Sequence, residues 1–80
     1  MKLYHLGWNQ THRGHHLKAD QFKSQLTAEQ LQGEIYDLIN SRSRTCRIWI
    51  DGRCVWYYDD ATTYCHPVGK VVDDIMKGLS

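Results

Sequence analysis

Apolar residues recur along this chain with two periods, and the switches between them mark out short strands and helices. Tyr4, Leu6 and Trp8 alternate with Leu3, His5 and Gly7, the two-residue period of a strand with one face on a core. Asn9 to Gly14 supplies turn-forming residues, and His15 to Phe22 fits a return strand, with a loop or a short helix as alternatives. The period then lengthens. Ala28, Leu31, Ile35, Leu38 and Ile39 fall on one helical stripe, while Glu29, Gln32 and Asp37 lie away from its centre. Thr27-Ala-Glu-Gln30 is a capping box, in which the threonine hydroxyl accepts from the Gln30 amide and the glutamine side chain reaches back. Leu26 and Leu31 occupy the two positions of a hydrophobic staple, and Asn40-Ser41 ends the helix.

The run from Arg47 to Tyr58 predicts a β-hairpin. Two stretches of β-branched and aromatic residues flank Asp51-Gly52, a dipeptide suited to a two-residue primed turn. With that turn and regular pairing, Ile50 opposes Arg53, Ile48 opposes Val55 and Cys46 opposes Tyr57 on an aliphatic, core-facing side. The other side pairs Trp49 with Cys54 and Arg47 with Trp56, with Tyr58 beyond, and brings Arg47 within cation–π reach of Trp56. Cys46 and Cys54 then point to opposite faces, which argues against a disulfide between them. A bulge would slip the pairing and swap some of these assignments.

Asp59-Asp60-Ala61 reads as a turn and Thr62 to Cys65 as a short further strand. Pro67 suits the first turn of a second helix, along which Val68, Val71, Val72, Ile75, Met76 and Leu79 form an amphipathic stripe. Gly78 fits a C-terminal cap. The order β-(β)-α-β-β-(β)-α predicts an α+β fold: a small antiparallel sheet with two amphipathic helices packed on one face. Eighty residues without a linker or an internal repeat make one domain, 1–80, with little material to enclose a deep pocket.

Net charge is only +1, but its distribution is uneven. Residues 1–26 hold four basic groups against Asp20 alone, together with four of the five histidines. Arg42, Arg44, Arg47 and Arg53 then cluster within twelve residues whose single carboxylate is Asp51. They predict a local positive patch, although charges protecting a strand edge account for the same residues. An odd cysteine count (Cys46, Cys54, Cys65) without an apolar leader segment favours reduced thiols and a cytoplasmic protein. No stretch approaches the length of a membrane span.

Several constellations invite a chemical reading. His12, His15 and His16, joined by Cys65 and His66 from the other end of the chain, are candidate zinc ligands, yet their spacing matches no common zinc template. Exposed loop histidines are the plainer reading, so no metal and no cofactor is expected. Cys65 and His66 are sequence neighbours that diverge on a strand, which disfavours a cysteine nucleophile with an adjacent base. Asp59-Asp60 and Asp73-Asp74 read as a turn and a solvated helix face rather than a Mg²⁺ site.

The arginine and aromatic residues of the hairpin are the better candidate, because exposed Trp, Tyr and Arg are the types enriched at binding hot spots. The expected partner-binding set is Arg47, Trp49, Arg53, Trp56, Tyr58 and Arg44. A second covered face, or a homodimer seam, would account for the same aromatics. The sequence opens on Met-Lys and closes on a capped helix, and so reads as a stand-alone protein. Without an evident catalytic set, the leading expectation is a non-enzymatic protein-binding module. Inhibitors of host or defence proteins, of the kind phages and mobile elements make to occlude a target surface, have this character. Nucleic-acid binding through the same face is the alternative, weakened by the small net charge. A small nuclease built on His12, His15 and His16, with Arg13 or Arg47 for the phosphate, is the third.

Overall fold

The computed structural model describes residues 2–11, 21–41, 45–59 and 67–79. Its elements are β1 (Tyr4–Thr11), β2 (Gln21–Leu26), α1 (Ala28–Asn40), β3 (Thr45–Ile50), β4 (Arg53–Asp59) and α2 (Val68–Gly78). The strands pair antiparallel in the order β2-β1-β3-β4, so among the described residues β2 and β4 are the edges.

Alternation along the central strands decides where the core lies. Leu6 of β1 and Cys46, Ile48 and Ile50 of β3 project to one side and are buried with Leu31, Ile35, Leu38 and Ile39 of α1 and Val72 of α2. Both helices therefore cover the same face of the sheet, as the sequence pattern predicts. Each such aliphatic side chain contributes roughly 1.5–3 kcal/mol through burial, so this cluster is the main stabilising unit. The helix α1 is set where the capping box directs. Thr27 Oγ1 accepts from the Gln30 amide at 3.2 Å, and Gln30 Oε1 accepts from the Thr27 amide at 3.0 Å. Lys23 Nζ donates to both Glu34 carboxylate oxygens at 2.9 Å and ties the β2 edge to α1.

The β3–β4 turn is primed, as Asp51-Gly52 predicts: φ is +52° at Asp51 and +82° at Gly52, both in the left-handed region. Its amide and side chain also bind β1. Asp51 N–H donates to the His5 carbonyl at 2.8 Å, and Asp51 Oδ1 accepts from the His5 amide at 2.9 Å. Lys2 Nζ lies 3.4 Å from Asp51 Oδ2.

Several boundaries and one register differ from the sequence reading. The return strand is Gln21–Leu26 rather than a segment ending at Phe22, and it runs directly into the Thr27 cap. Asp59 is the last residue of β4, not the first of a turn, and Asp60 and Ala61 lie outside the described residues. So do the further strand expected at Thr62 to Cys65 and His12, His15, His16 and His66. Pro67 is the N-cap residue of α2 rather than part of its first turn. Gly78 is the last residue of α2, with Leu79 as the C-cap residue in a right-handed conformation.

The register change matters most. Ile50 does pair with Arg53, and Trp49 with Cys54, but Ile48 pairs with Trp56, Arg47 with Tyr57 and Cys46 with Tyr58. Val55 is the extra residue of a β-bulge, so Val55 and Trp56 together face Ile48. Trp56, Tyr57 and Tyr58 are therefore each on the opposite face from that predicted by regular pairing.

Candidate functional site

With both helices on one side, the other face of the sheet is open among the described residues. Strand alternation and register put Phe22 of β2, His5, Gly7 and Asn9 of β1, Arg47 and Trp49 of β3, and Tyr57 of β4 on it. Phe22 is 65% exposed and Tyr57 50%, high values for rings on a paired strand. Trp49 between them is half-buried.

The exposed rings are held by their neighbours. The Arg47 guanidinium sits 4.9 Å from the centre of the Tyr57 ring, directly across the β3–β4 ladder. At the other edge, the His5 and Phe22 rings stack with centroids 5.3 Å apart and planes 25° apart. His5 Nδ1 is also 2.8 Å from Ser24 Oγ. Gly7 lies between these two groups, paired with Phe22 on one side and Trp49 on the other. A methyl group at Gly7 would meet Trp49 Cβ at 4.0 Å and the Gln21 carbonyl at 3.8 Å, which is ordinary contact. Sterically, the fold does not require a glycine here.

Of the six residues expected to bind a partner, two share this face, Arg47 and Trp49. Trp56 and Tyr58 are turned to the helix side by the bulge. Both are half-buried against the core and stack on each other, 6.0 Å between centroids and 7° between planes. The expected Arg47–Trp56 cation–π contact is therefore replaced by Arg47–Tyr57. Arg53, opposite buried Ile50, also belongs to the helix side, at the rim of a groove between β4 and α2. Arg44 lies outside the described residues. Phe22 and Tyr57 are the members that sequence reasoning missed. Phe22 was legible in principle, since a strand reaching the Thr27 cap carries it into the ladder. Tyr57 was not, because nothing in Cys54-Val55-Trp56 announces a bulge.

Chemically, the face offers aromatic surface, one guanidinium and one imidazole. The Ser24–His5 contact is an exposed hydrogen bond in which no described acidic side chain orients the imidazole, since Asp51 takes the backbone N–H of His5 instead. Among the described residues no group of three or more His, Cys, Asp or Glu side chains could hold a metal ion. Cys46 is buried and Cys54 is exposed, and neither forms a disulfide. No described helix is long and apolar enough to cross a membrane. No family model matches the sequence, and neither a curated protein nor a solved structure matches it.

Proposed function

We propose that this protein is a non-enzymatic protein-binding module whose contact surface is the open sheet face, and that it acts by covering a surface of its partner. The observation that supports this most directly is the exposure of Phe22 and Tyr57 on the face opposite both helices, flanking Trp49 and held by His5 and Arg47. Large rings fixed by neighbours lose little side-chain entropy on binding, which is what makes aromatic anchors effective.

Gly7 supports the same reading. A glycine inside a strand costs roughly 0.5–1 kcal/mol relative to alanine, and here a side chain would fit. A position that weakens the fold without a steric reason is a candidate for a role in recognition. The missing side chain leaves a recess between Phe22 and Trp49 that a partner side chain can fill.

Arg47 is the only lysine or arginine on this face among the described residues. A phosphate backbone is tracked by several cations, so the charge favours a protein partner over a nucleic acid.

The test is affinity capture from a lysate of the source cells, with and without nuclease. Wild type is compared with a Phe22→Ser/Tyr57→Ser variant whose circular dichroism and urea midpoint match. One protein retained near stoichiometrically after nuclease, and lost by the variant, is the expected result. Capture that disappears with nuclease would transfer the surface to nucleic-acid binding. Capture that survives in the variant would remove the open face from the site.

A further inference from the structure

The second helix is incompletely covered. Its apolar stripe holds Val68, Val71, Val72, Ile75, Met76 and Leu79, yet only Val72 is fully buried. Beside the uncovered part of that stripe lies β4, and between the two runs an open groove of about 600 Å³. Val71, Ile75 and Leu79 line it from the helix and Val55 and Trp56 from the strand, all five of them half-buried. The bulge shapes the strand wall. On a regular strand Val55 and Trp56 would point to opposite faces, whereas here both are turned toward the helices. A place that alternation would give to one apolar side chain thus holds two.

The groove carries one uncompensated charge. Of the strand residues that line it, Arg53 is the nearest to the β3–β4 turn, and its guanidinium has no hydrogen-bond or ion-pair partner among the described residues. Lys70 and Asp74, both exposed, complete the charged rim and pair with each other at 3.6 Å. Dimensions decide what kind of molecule fits. From Val71 to Leu79 the helix wall is about 12 Å long, at 1.5 Å per residue. The volume falls within the roughly 300–1,000 Å³ of small-molecule sites. A stable protein interface draws on about 20–30 residues a side, about two to three times as many as line this groove.

From these observations we propose that the groove between β4 and α2 binds a small amphipathic carboxylate. The ligand is an unbranched aliphatic chain of roughly eight to ten carbons, the length of the helix wall, with its carboxylate on Arg53. The chain lies along Val71, Ile75 and Leu79, facing the Val55 and Trp56 side chains. Apolar walls on both sides select hydrocarbon, because each methylene taken from water adds to binding. Arg53 selects an anionic head, and the planar fork of a guanidinium matches a carboxylate. A cationic head would meet Arg53 as a like charge. This site lies across the sheet from the open aromatic face and does not depend on it.

The probe is sodium decanoate, titrated below its micelle concentration into the isotope-labelled full chain and followed by amide chemical shifts. The shifts should saturate and centre on residues 53–56 and 70–79, which line the groove. Octanoate and hexanoate should bind progressively more weakly, by about five- to fifteenfold for each two methylenes removed. Decyltrimethylammonium, the same chain with a cationic head, should bind about tenfold more weakly than decanoate. Arg53→Glu, an exposed change that leaves the core untouched, should reverse that preference. Asp74→Asn releases Lys70 from its pair and should tighten decanoate about twofold. The Phe22→Ser/Tyr57→Ser variant should bind as wild type. Any of four results would overturn the proposal: shifts that do not saturate, affinity indifferent to chain length, equal affinity for the anionic and cationic chains, or a preference untouched by Arg53→Glu. Weaker decanoate binding in Asp74→Asn would contradict the assigned charge and count the same way. Shifts centred on Phe22, Trp49 and Tyr57, or binding lost in the double variant, would assign the chain to the aromatic face and equally end it.

Discussion

Val55 is an extra residue in β4, and side chains alternate across a strand, so its insertion turns Trp56 and Tyr58 toward the helices and Tyr57 outward. Two adjacent aromatics thereby acquire opposite roles. Trp56→Ala should cost about 2–3 kcal/mol, because a half-buried ring leaves a cavity beside Ile48, whereas Tyr57→Ala should cost under about 0.5 kcal/mol. Urea unfolding of the two variants measures this, and equal costs would argue for a ladder without the bulge. Gly7 gives an opposite-signed case. Gly7→Ala should raise stability by about 0.5–1 kcal/mol and weaken partner capture; a loss of stability would mean the strand does require glycine. Asp51 connects charge to the turn. The backbone N–H of His5, with help from Lys2, holds its carboxyl below the ordinary value of 3.8. A depressed carboxyl contributes stability above its unfolded pKa and loses it as pH falls through the folded value. Wild-type stability should therefore decline on acidification from about pH 5 toward pH 2, and less steeply in Asp51→Asn, which keeps an acceptor for the His5 amide and tolerates the left-handed turn. Identical slopes in the two proteins would mean that the Asp51 charge is not coupled to folding.

The two helices differ in how firmly they are held. α1 has a capping box, a link from Lys23 and four buried side chains, whereas α2 has no side-chain cap and one buried residue. Local opening follows such differences, so α2 amides should exchange with deuterium well before those of α1 under native conditions. Matched protection factors would mean that the helices open together and that α2 is better covered than its exposure indicates. The same contrast explains what the sequence could reveal. Both helical stripes, the capping box and the primed turn are local patterns, and each forms where its residues predict. The β4 register depends on how a whole strand settles against Ile48 and the helices, and no local residue type encodes it. Trp56 and Tyr58 were misplaced for that reason, and Tyr57 missed. Phe22 was placed at the end of its strand because the turn residues before it blur where pairing begins, while the Thr27 cap just after it fixes where pairing must stop.

Among the described residues the four-stranded sheet is covered on one side only, and the other side needs an account. Many small domains make that side polar, yet here it carries Phe22, Trp49 and Tyr57, whose exposed surface contributes little to the fold of a single chain. Such a face is either kept for a different molecule or closed by a second copy, and thermodynamics separates the two. A fold that depends on self-association gains stability with concentration by mass action, about 2.7 kcal/mol for each hundredfold. If the face serves a different partner, the urea midpoint should stay constant over such a range, and sedimentation should report a monomer throughout. The Phe22→Ser/Tyr57→Ser variant should then unfold at the wild-type midpoint while losing its partner, separating what the rings do for recognition from what they do for stability. A midpoint that climbs with concentration in wild type and not in the variant would instead identify the aromatic face as a homodimer seam. Arg47 stacked on Tyr57 would then be part of a self-complementary interface.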